Sequence, residues 1–195
     1  QLPAVFAGGL HPYVIEYFAG DPPRLSPGLR LLLCEQQPMF HGQALVAELE
    51  AFAHALAGQS ELLPAAVVLR GEAGSGRRFL LSCLARQLGC TLLEADGSAW
   101  VEPQDVLVAA RLYGALVCAA DNADARAEVR ALAGEVPLAL YLAGPEETPD
   151  TGAVSVLART VPPLTAAQRR IAAAALLGAQ GPAWEPLLAL YRPGS

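Results

Sequence analysis

The sequence contains no lysine. All 13 of its basic residues are arginine, against 19 acidic residues, and the net charge is −6. A negative balance with scattered arginines excludes the extended basic face that nucleic-acid binding requires. Asparagine is almost as scarce, because Asn122 is the only one. These biases indicate a source that avoids lysine, so an arginine on the surface where lysine is usual carries little functional meaning.

The sequence also lacks long apolar runs and paired cysteines. No run reaches the roughly 18–20 apolar residues that a membrane helix needs. The first residues lack the basic segment of a signal peptide, so a cytoplasmic location without membrane contact is expected. The four cysteines form no C-x-x-C pair, which predicts buried free thiols. The three histidines are isolated, and no metal site is predicted.

Apolar residues, in contrast, are plentiful. The chain of 195 residues is 53% hydrophobic, which is enough for one sizeable core. Residues 1–64 are predicted to form a helical lead-in, with one amphipathic helix beginning near Pro12 and a clearer one over 44–57. From residue 65 onward, apolar runs alternate with amphipathic helices. Residues 165–195 are predicted to form two helices separated by a Gly-Pro break.

The apolar runs after residue 64 are typical of buried strands. They cover 65–70, 90–96, 115–121, 136–144 and 153–160, and helices are predicted over 77–89, 103–114 and 123–134. Strands that are apolar throughout and separated by helices indicate a parallel sheet covered on both faces. The predicted fold is therefore α/β, with a five-stranded parallel sheet.

A glycine-rich stretch, GEAGSGRR, separates the first predicted strand from its helix. Its first and last glycines have the spacing G-x-x-x-x-G of a phosphate-binding loop, which is followed by two functional positions. In such a loop, backbone N–H groups surround a phosphate and the next helix directs its positive end toward it. The candidate nucleotide-binding residues are Gly71, Glu72, Ala73, Gly74, Ser75, Gly76, Arg77 and Arg78.

The two functional positions carry unusual residues. A lysine normally stands first and contacts the phosphates, and a serine or threonine normally stands second and holds Mg²⁺. Arg77 can still pair with a phosphate, but its guanidinium is planar and longer than a lysine ammonium. Arg78 cannot coordinate a cation. We therefore expect ATP or ADP to bind weakly or not at all, and Mg²⁺ to be poorly coordinated.

Residues 65–170 resemble the AAA+ ATPases in the content and order of their motifs. ALVCAADNAD, at 115–124, is similar to the family's second nucleotide motif, an apolar strand ending in D-E-x-D. The resemblance implies that Asp121 matches the magnesium-associated aspartate and Asp124 the later acidic residue. It also implies that Asn122 replaces the glutamate that activates water, and an amide cannot act as a base. Without the resemblance, Asp121 and Asn122 simply end a buried strand in a turn.

Further positions depart from the family pattern. Gly144 and Pro145 stand where the family has a polar sensor, and the loop after them has no arginine that could reach a neighbouring subunit. Arg159, Arg169 and Arg170 come too late for that role. RTVPPLTAAQRR resembles the family's passage into its helical lid. The resemblance thus implies a degenerate core over 65–164 and the start of a truncated lid over 165–195.

The helical lead-in followed by LRGEAGSGRR has a narrower resemblance. It is similar to the first, degenerate AAA+ module of ATPases associated with phage-tail-like contractile injection systems. This implies an assembly or regulatory role, with a second AAA+ module of the same polypeptide or neighbouring copies as partners. Two alternatives stay open. One is an interaction domain without nucleotide, whose helices over 44–57 and 166–178 dock a partner, and the other is an active ATPase in which Arg77 replaces the lysine.

Overall fold

The computed structural model describes residues 11–20, 24–32, 43–57 and 63–170. Over these ranges, helices and strands follow one another in a mixed order. They are α1 (Pro12–Ala19), β1 (Leu29–Leu32), α2 (Gln43–Ala57), β2 (Ala65–Arg70), α3 (Arg77–Gln87), β3 (Thr91–Ala95), α4 (Pro103–Leu112), β4 (Ala115–Ala119), α5 (Ala123–Arg130), β5 (Leu138–Ala143) and β6 (Ser155–Thr160). Residues 166–170 are also helical. No described helix is long and apolar enough to cross a membrane.

The strands form one sheet in the order β1-β3-β4-β5-β2-β6. Strands β2 to β6 pair in parallel, whereas β1 runs antiparallel to β3. The prediction of an α/β fold with a parallel sheet is confirmed. The five predicted parallel strands are β2 to β6, and a sixth, antiparallel strand that was not predicted, β1, extends the sheet. The additional strand comes from the segment predicted to be a helical lead-in.

Strand β1 was missed because its partner is distant in sequence. Its four residues, LRLL, show neither a clear alternation nor the length of a typical strand. Pairing supplies what the local pattern does not: Leu29 is buried opposite Ala95, and Arg30 lies opposite Glu94. The Arg30 guanidinium contacts the Glu94 carboxylate at 3.5 Å, which adds a charge pair across the two strands.

Helices cover both faces of the sheet, so nearly all residues of β2, β3 and β5 are buried, whereas the edge strands β1 and β6 are mostly half-buried or exposed. Alternate residues of β2 enter two separate clusters. Ala66 and Val68 pack with α1, α4 and α5, and Val67 and Leu69 pack with α2 and α3. The apolar stripe of α2 is part of the second cluster, with Leu49 fully buried. Val46, Leu49 and Ala53 of that stripe therefore pack inside the core, and Leu45, Phe52 and Leu56 are partly buried against it.

The order of the strands determines where loops meet. The chain leaves β2 through α3 to reach β3, on one face, and returns through α4 and α5 on the other face. Strands β3, β4 and β5 therefore lie on one side of β2, and β6 lies on the other side. Ligands of open α/β sheets bind outside the carboxyl ends of the strands at the point where the strand order reverses in this way. The loops after β2, β4 and β5 lie at this edge. The predicted domain limits at residues 64 and 164 stay predictions.

The cysteine prediction is partly confirmed. Cys83 and Cys118 are buried and Cys90 is half-buried, and none of the three forms a disulfide within the described residues. Cys34 lies outside the described residues.

Candidate nucleotide-binding site

The glycine-rich loop lies between β2 and α3, as the sequence predicts. The Gly71 N–H donates to the Ala143 carbonyl at the end of β5 (3.1 Å), and the Val161 N–H donates to the Arg70 carbonyl (2.7 Å). A β-carbon on Gly71 would lie only 2.6 Å from the Val161 carbonyl oxygen. The start of the loop is therefore fixed between two strand ends, and only glycine fits there.

The loop ends at the N-terminus of α3. Gly76 is the residue that precedes the helix, and its φ of 88° lies in the left-handed region that favours glycine. The positive end of the α3 dipole lies at this N-terminus, and no side chain of the described residues caps it. Ser75 is 1% exposed, and its Oγ has no hydrogen-bond partner among the described residues. Glu72, Ala73 and Gly74 are exposed.

Arg77 turns toward the sheet. Its side chain is 7% exposed, and its Nη2 donates to Asp121 Oδ2 at 2.8 Å. Its Nη1 donates to the carbonyl of Ala143. The structure thus brings the first functional position of the loop and the predicted aspartate into direct contact, through a guanidinium that bridges the ends of β4 and β5.

A second arginine extends this contact into a chain of charges. Arg126 Nη1 lies 3.3 Å from Asp121 Oδ1 and 3.2 Å from Glu147 Oε2. Glu147 Oε2 also accepts from the Gly144 N–H at 2.8 Å. The Gly144 N–H, which the sequence resemblance compares with a polar sensor, is therefore bonded to a carboxylate from its own loop. Neither Arg126 nor Glu147 was singled out from the sequence, and no local pattern marks them.

Asn122 caps a helix. Its Oδ1 accepts from the Ala125 N–H at 2.8 Å, and its Nδ2 donates to the Asp96 carbonyl at 2.7 Å. Both ends of the amide are therefore engaged in holding the N-terminus of α5 against the loop after β3. A signal for this role is present in the sequence, because an asparagine directly before a predicted helix start is a preferred N-cap residue.

Arg78 pairs with β3. Its Nε and Nη2 lie 2.8 and 2.6 Å from Glu94 Oε1. Glu94 is 1% exposed, so a buried carboxylate in the middle of the sheet is neutralised by Arg78 and by Arg30. The sequence contained a signal for this pair, because an acidic residue inside the apolar run at 90–96 is expected to be buried and therefore to pair with a cation.

Two further residues singled out from the sequence lie elsewhere. Asp124 is exposed in the first turn of α5. Arg159 Nε donates to Glu48 Oε2 on α2 at 2.9 Å, which fastens β6 to that helix. Within the described residues, neither Asp124 nor Arg159 forms a hydrogen bond or ion pair with Arg77 or Asp121.

Comparisons with known proteins bear on the fold. No protein-family model matches the sequence, and no curated protein sequence matches it. A structure of C. elegans PCH-2 matches with a TM-score of 0.47 and 12% identity, covering 73% of this chain and 50% of that one. This chain therefore spans half the length of the PCH-2 chain. A structure from work on katanin self-assembly matches with a TM-score of 0.55 and 11% identity, covering 94% of this chain and 72% of that one.

The katanin match extends over nearly the whole chain and agrees with the sheet described above. The chain has the fold of the AAA+ ATPases. In this AAA+ fold the loop 71–76 and Asp121 lie at one edge of the sheet, beside β2. At identities this low the likeness concerns the AAA+ fold alone, and the activity of the neighbours is not carried to this chain.

Proposed function

We propose that this chain is a degenerate AAA+ module that does not hydrolyse ATP and that has an assembly or regulatory role within a larger ATPase. The observation that carries the proposal is the ion pair between Arg77 and Asp121. It joins the two positions that an AAA+ ATPase uses for phosphate and for Mg²⁺.

The residues around Asp121 do not fit Mg²⁺. This ion requires oxygen ligands in a nearly octahedral arrangement. Asp121 presents Oδ2 to Arg77 at 2.8 Å and Oδ1 to Arg126 at 3.3 Å. A divalent cation at this carboxylate would stand beside two guanidinium groups, and the repulsion between like charges opposes its binding. Arg78, in the position of the family's hydroxyl ligand, offers no oxygen.

The proposal is also supported by the use of Asn122. Hydrolysis needs a group that accepts a proton from water. The Asn122 amide is neutral, and it is engaged with Ala125 and Asp96. The residue at position 122 therefore cannot act as the base that hydrolysis needs. We propose that the chain binds nucleotide weakly and does not hydrolyse it.

Isothermal titration with ATP and with ADP tests this proposal, each with and without Mg²⁺. We expect weak or absent binding that Mg²⁺ does not strengthen, and no phosphate release above background. A matched control is Arg130→Ala, which removes an exposed arginine that pairs with Asp150. Robust turnover that is lost in Arg77→Ala but kept in Arg130→Ala would instead establish the active ATPase in which Arg77 replaces lysine.

The proposed assembly role is supported by the similarity of this chain to the katanin structure. The katanin structure concerns self-assembly, and we propose that this chain likewise contacts neighbouring copies or a second AAA+ module of the same polypeptide. The link to a contractile injection system rests on the loop GSGRR. An intact G-x-x-x-x-G-K-[ST] in the same polypeptide would support the two-module arrangement. Two results together would contradict the assembly role. The chain would sediment as a monomer at all concentrations, and no second AAA+ module would be encoded in the same polypeptide.

A further inference from the structure

A cavity of about 290 Å³ lies beside α5, and Arg77 and Asp121 are not among the residues that line it. Its walls are the loop over residues 97–100 and the side of α5 that carries Asp124, Ala127 and Glu128. The start of the loop is joined to the N-terminus of α5, because the Asp96 carbonyl accepts from the Asn122 amide. One wall of the cavity carries two acidic residues.

Glu128 is a buried carboxylate that has no counter-ion among the described residues. It is 7% exposed, and its Oε2 has no hydrogen-bond partner among the described residues. No ion pair within that part of the chain reaches Glu128 or Asp124. The two acidic residues stand four apart on one helix, where like charges repel. A buried carboxylate oxygen that lacks a partner costs free energy, and a cation that entered the cavity would recover that cost.

The surroundings of Glu128 disfavour its negative charge. Burial raises the pKa of Glu128, an N–H from Val101 partly opposes this, and the nearby Asp96 and Asp124 raise the pKa further. Asp96 has a partner in Arg30 at 3.4 Å. The charge of Asp96 is therefore compensated, whereas Asp124 and Glu128, which both line the cavity, have no ion-pair partner among the described residues.

Trp100 gives the cavity an aromatic rim. Its side chain is 70% exposed, which is unusual for so large an apolar group. An indole face beside carboxylates is a favourable place for an organic cation. A metal ion does not suit the cavity, because no group of three or more potential metal ligands occurs within the described ranges.

We propose that this cavity binds the guanidinium group of an arginine side chain carried by a partner protein. Glu128 and Asp124 accept its hydrogen bonds and Trp100 covers its face. A guanidinium suits these three residues better than an ammonium does, because it is planar, weakly hydrated, stacks on aromatic rings and donates two parallel hydrogen bonds to a carboxylate. The net charge of −6 also favours a basic partner.

A titration of the whole ¹⁵N-labelled chain with N-acetyl-L-arginine amide tests the proposal. N-acetyl-L-citrulline amide, which has the same shape without the charge, is the matched ligand control. We expect saturable shifts of the amide signals of residues 97–100 and 124–128 with the arginine compound alone. Glu128→Gln should weaken binding about tenfold or more, as the loss of a charge-assisted hydrogen bond implies. Trp100→Ala should weaken it about two- to fivefold.

The control variant is Glu146→Gln, which removes an exposed carboxylate outside the cavity and should leave the affinity unchanged. Equal shifts with citrulline, no saturation with arginine, or unchanged binding by Glu128→Gln would each overturn the proposal. Tighter binding of N-acetyl-L-lysine amide would overturn the choice of guanidinium. Because the titration contains no nucleotide, its result is independent of the proposed loss of ATP hydrolysis.

Discussion

Replacing Arg77 by methionine should lower the stability of the protein by more than the loss of an ordinary surface ion pair. Methionine keeps most of the apolar stem and removes the guanidinium, so the variant isolates the contacts with Asp121 and Ala143. Both partners stand at strand ends, and the arginine itself is 7% exposed. The variant therefore reports how much the internal guanidinium contributes to the fold.

The magnitude follows from the two contacts. The Ala143 carbonyl also accepts from the Gly71 N–H, so it keeps one partner, and the loss of the other costs about 1 kcal/mol. Asp121 is 35% exposed and stays close to Arg126. Water and Arg126 therefore still stabilise its charge, and removal of the ion pair with Arg77 costs about 0.5–1.5 kcal/mol of stability. The total of about 1.5–2.5 kcal/mol corresponds to a fall in Tm of about 3–10 °C for a chain of this size.

Urea and thermal unfolding at neutral pH measure this change. The matched control is Arg130→Met, because Arg130 also pairs with an aspartate at 2.8 Å, but both side chains are more than half exposed. We expect the control to change stability by less than about 0.5 kcal/mol. A double-mutant cycle of Arg77→Met with Asp121→Asn should give a coupling of about 1 kcal/mol. If Arg77→Met is no more destabilising than Arg130→Met, the guanidinium does not hold the strand ends together.

Three further predictions concern other parts of the molecule. Asn122→Ala should lower the free energy of unfolding by about 1–2 kcal/mol because it removes the cap of α5, whereas Asn122→Asp should keep most of it; urea unfolding distinguishes the two. Glu128→Gln should raise Tm at pH 7 by relieving burial of a charge and about 0.5 kcal/mol of repulsion. Since the folded-state pKa of Glu128 is raised, this gain should shrink as the pH falls through the ordinary glutamate range and both states become protonated, and an unchanged gain at pH 3 would contradict it. A thiol reagent should label Cys90 before Cys118, whose pKa is raised by burial, and mass spectrometry that finds the reverse order would contradict the packing around β4.

The order of strands and helices after residue 64 could be predicted because each element is stabilised by a pattern in its own residues. The strand Ala65–Arg70 was predicted at its observed limits, and the other parallel strands differ by one or two residues at their ends. Strand β1 could not be predicted in this way. Four residues carry too little pattern, and their pairing with β3 depends on a contact between segments about 60 residues apart.

The candidate site shows the same division. The glycines could be predicted because backbone geometry restricts their positions to residues without a side chain. The partners of the two arginines could not, since a long side chain can turn either toward the loop or toward the sheet, and neighbouring strand ends decide which. Arg77 contacts Asp121 across 44 residues, and Arg78 contacts Glu94 across 16. Only the assembled sheet brings these groups together.

The short antiparallel strand β1 has a consequence for any shortened form of the protein. A fragment that began at residue 65 would contain every parallel strand but would leave β3 as the edge of the sheet. Strand β3 has four fully buried residues in a row, Leu92 to Ala95, and its backbone would offer unpaired N–H and C=O groups to other molecules. The buried Glu94 would also lose Arg30. Such a fragment should aggregate through β3, and β1 is therefore the segment that covers this edge of the sheet.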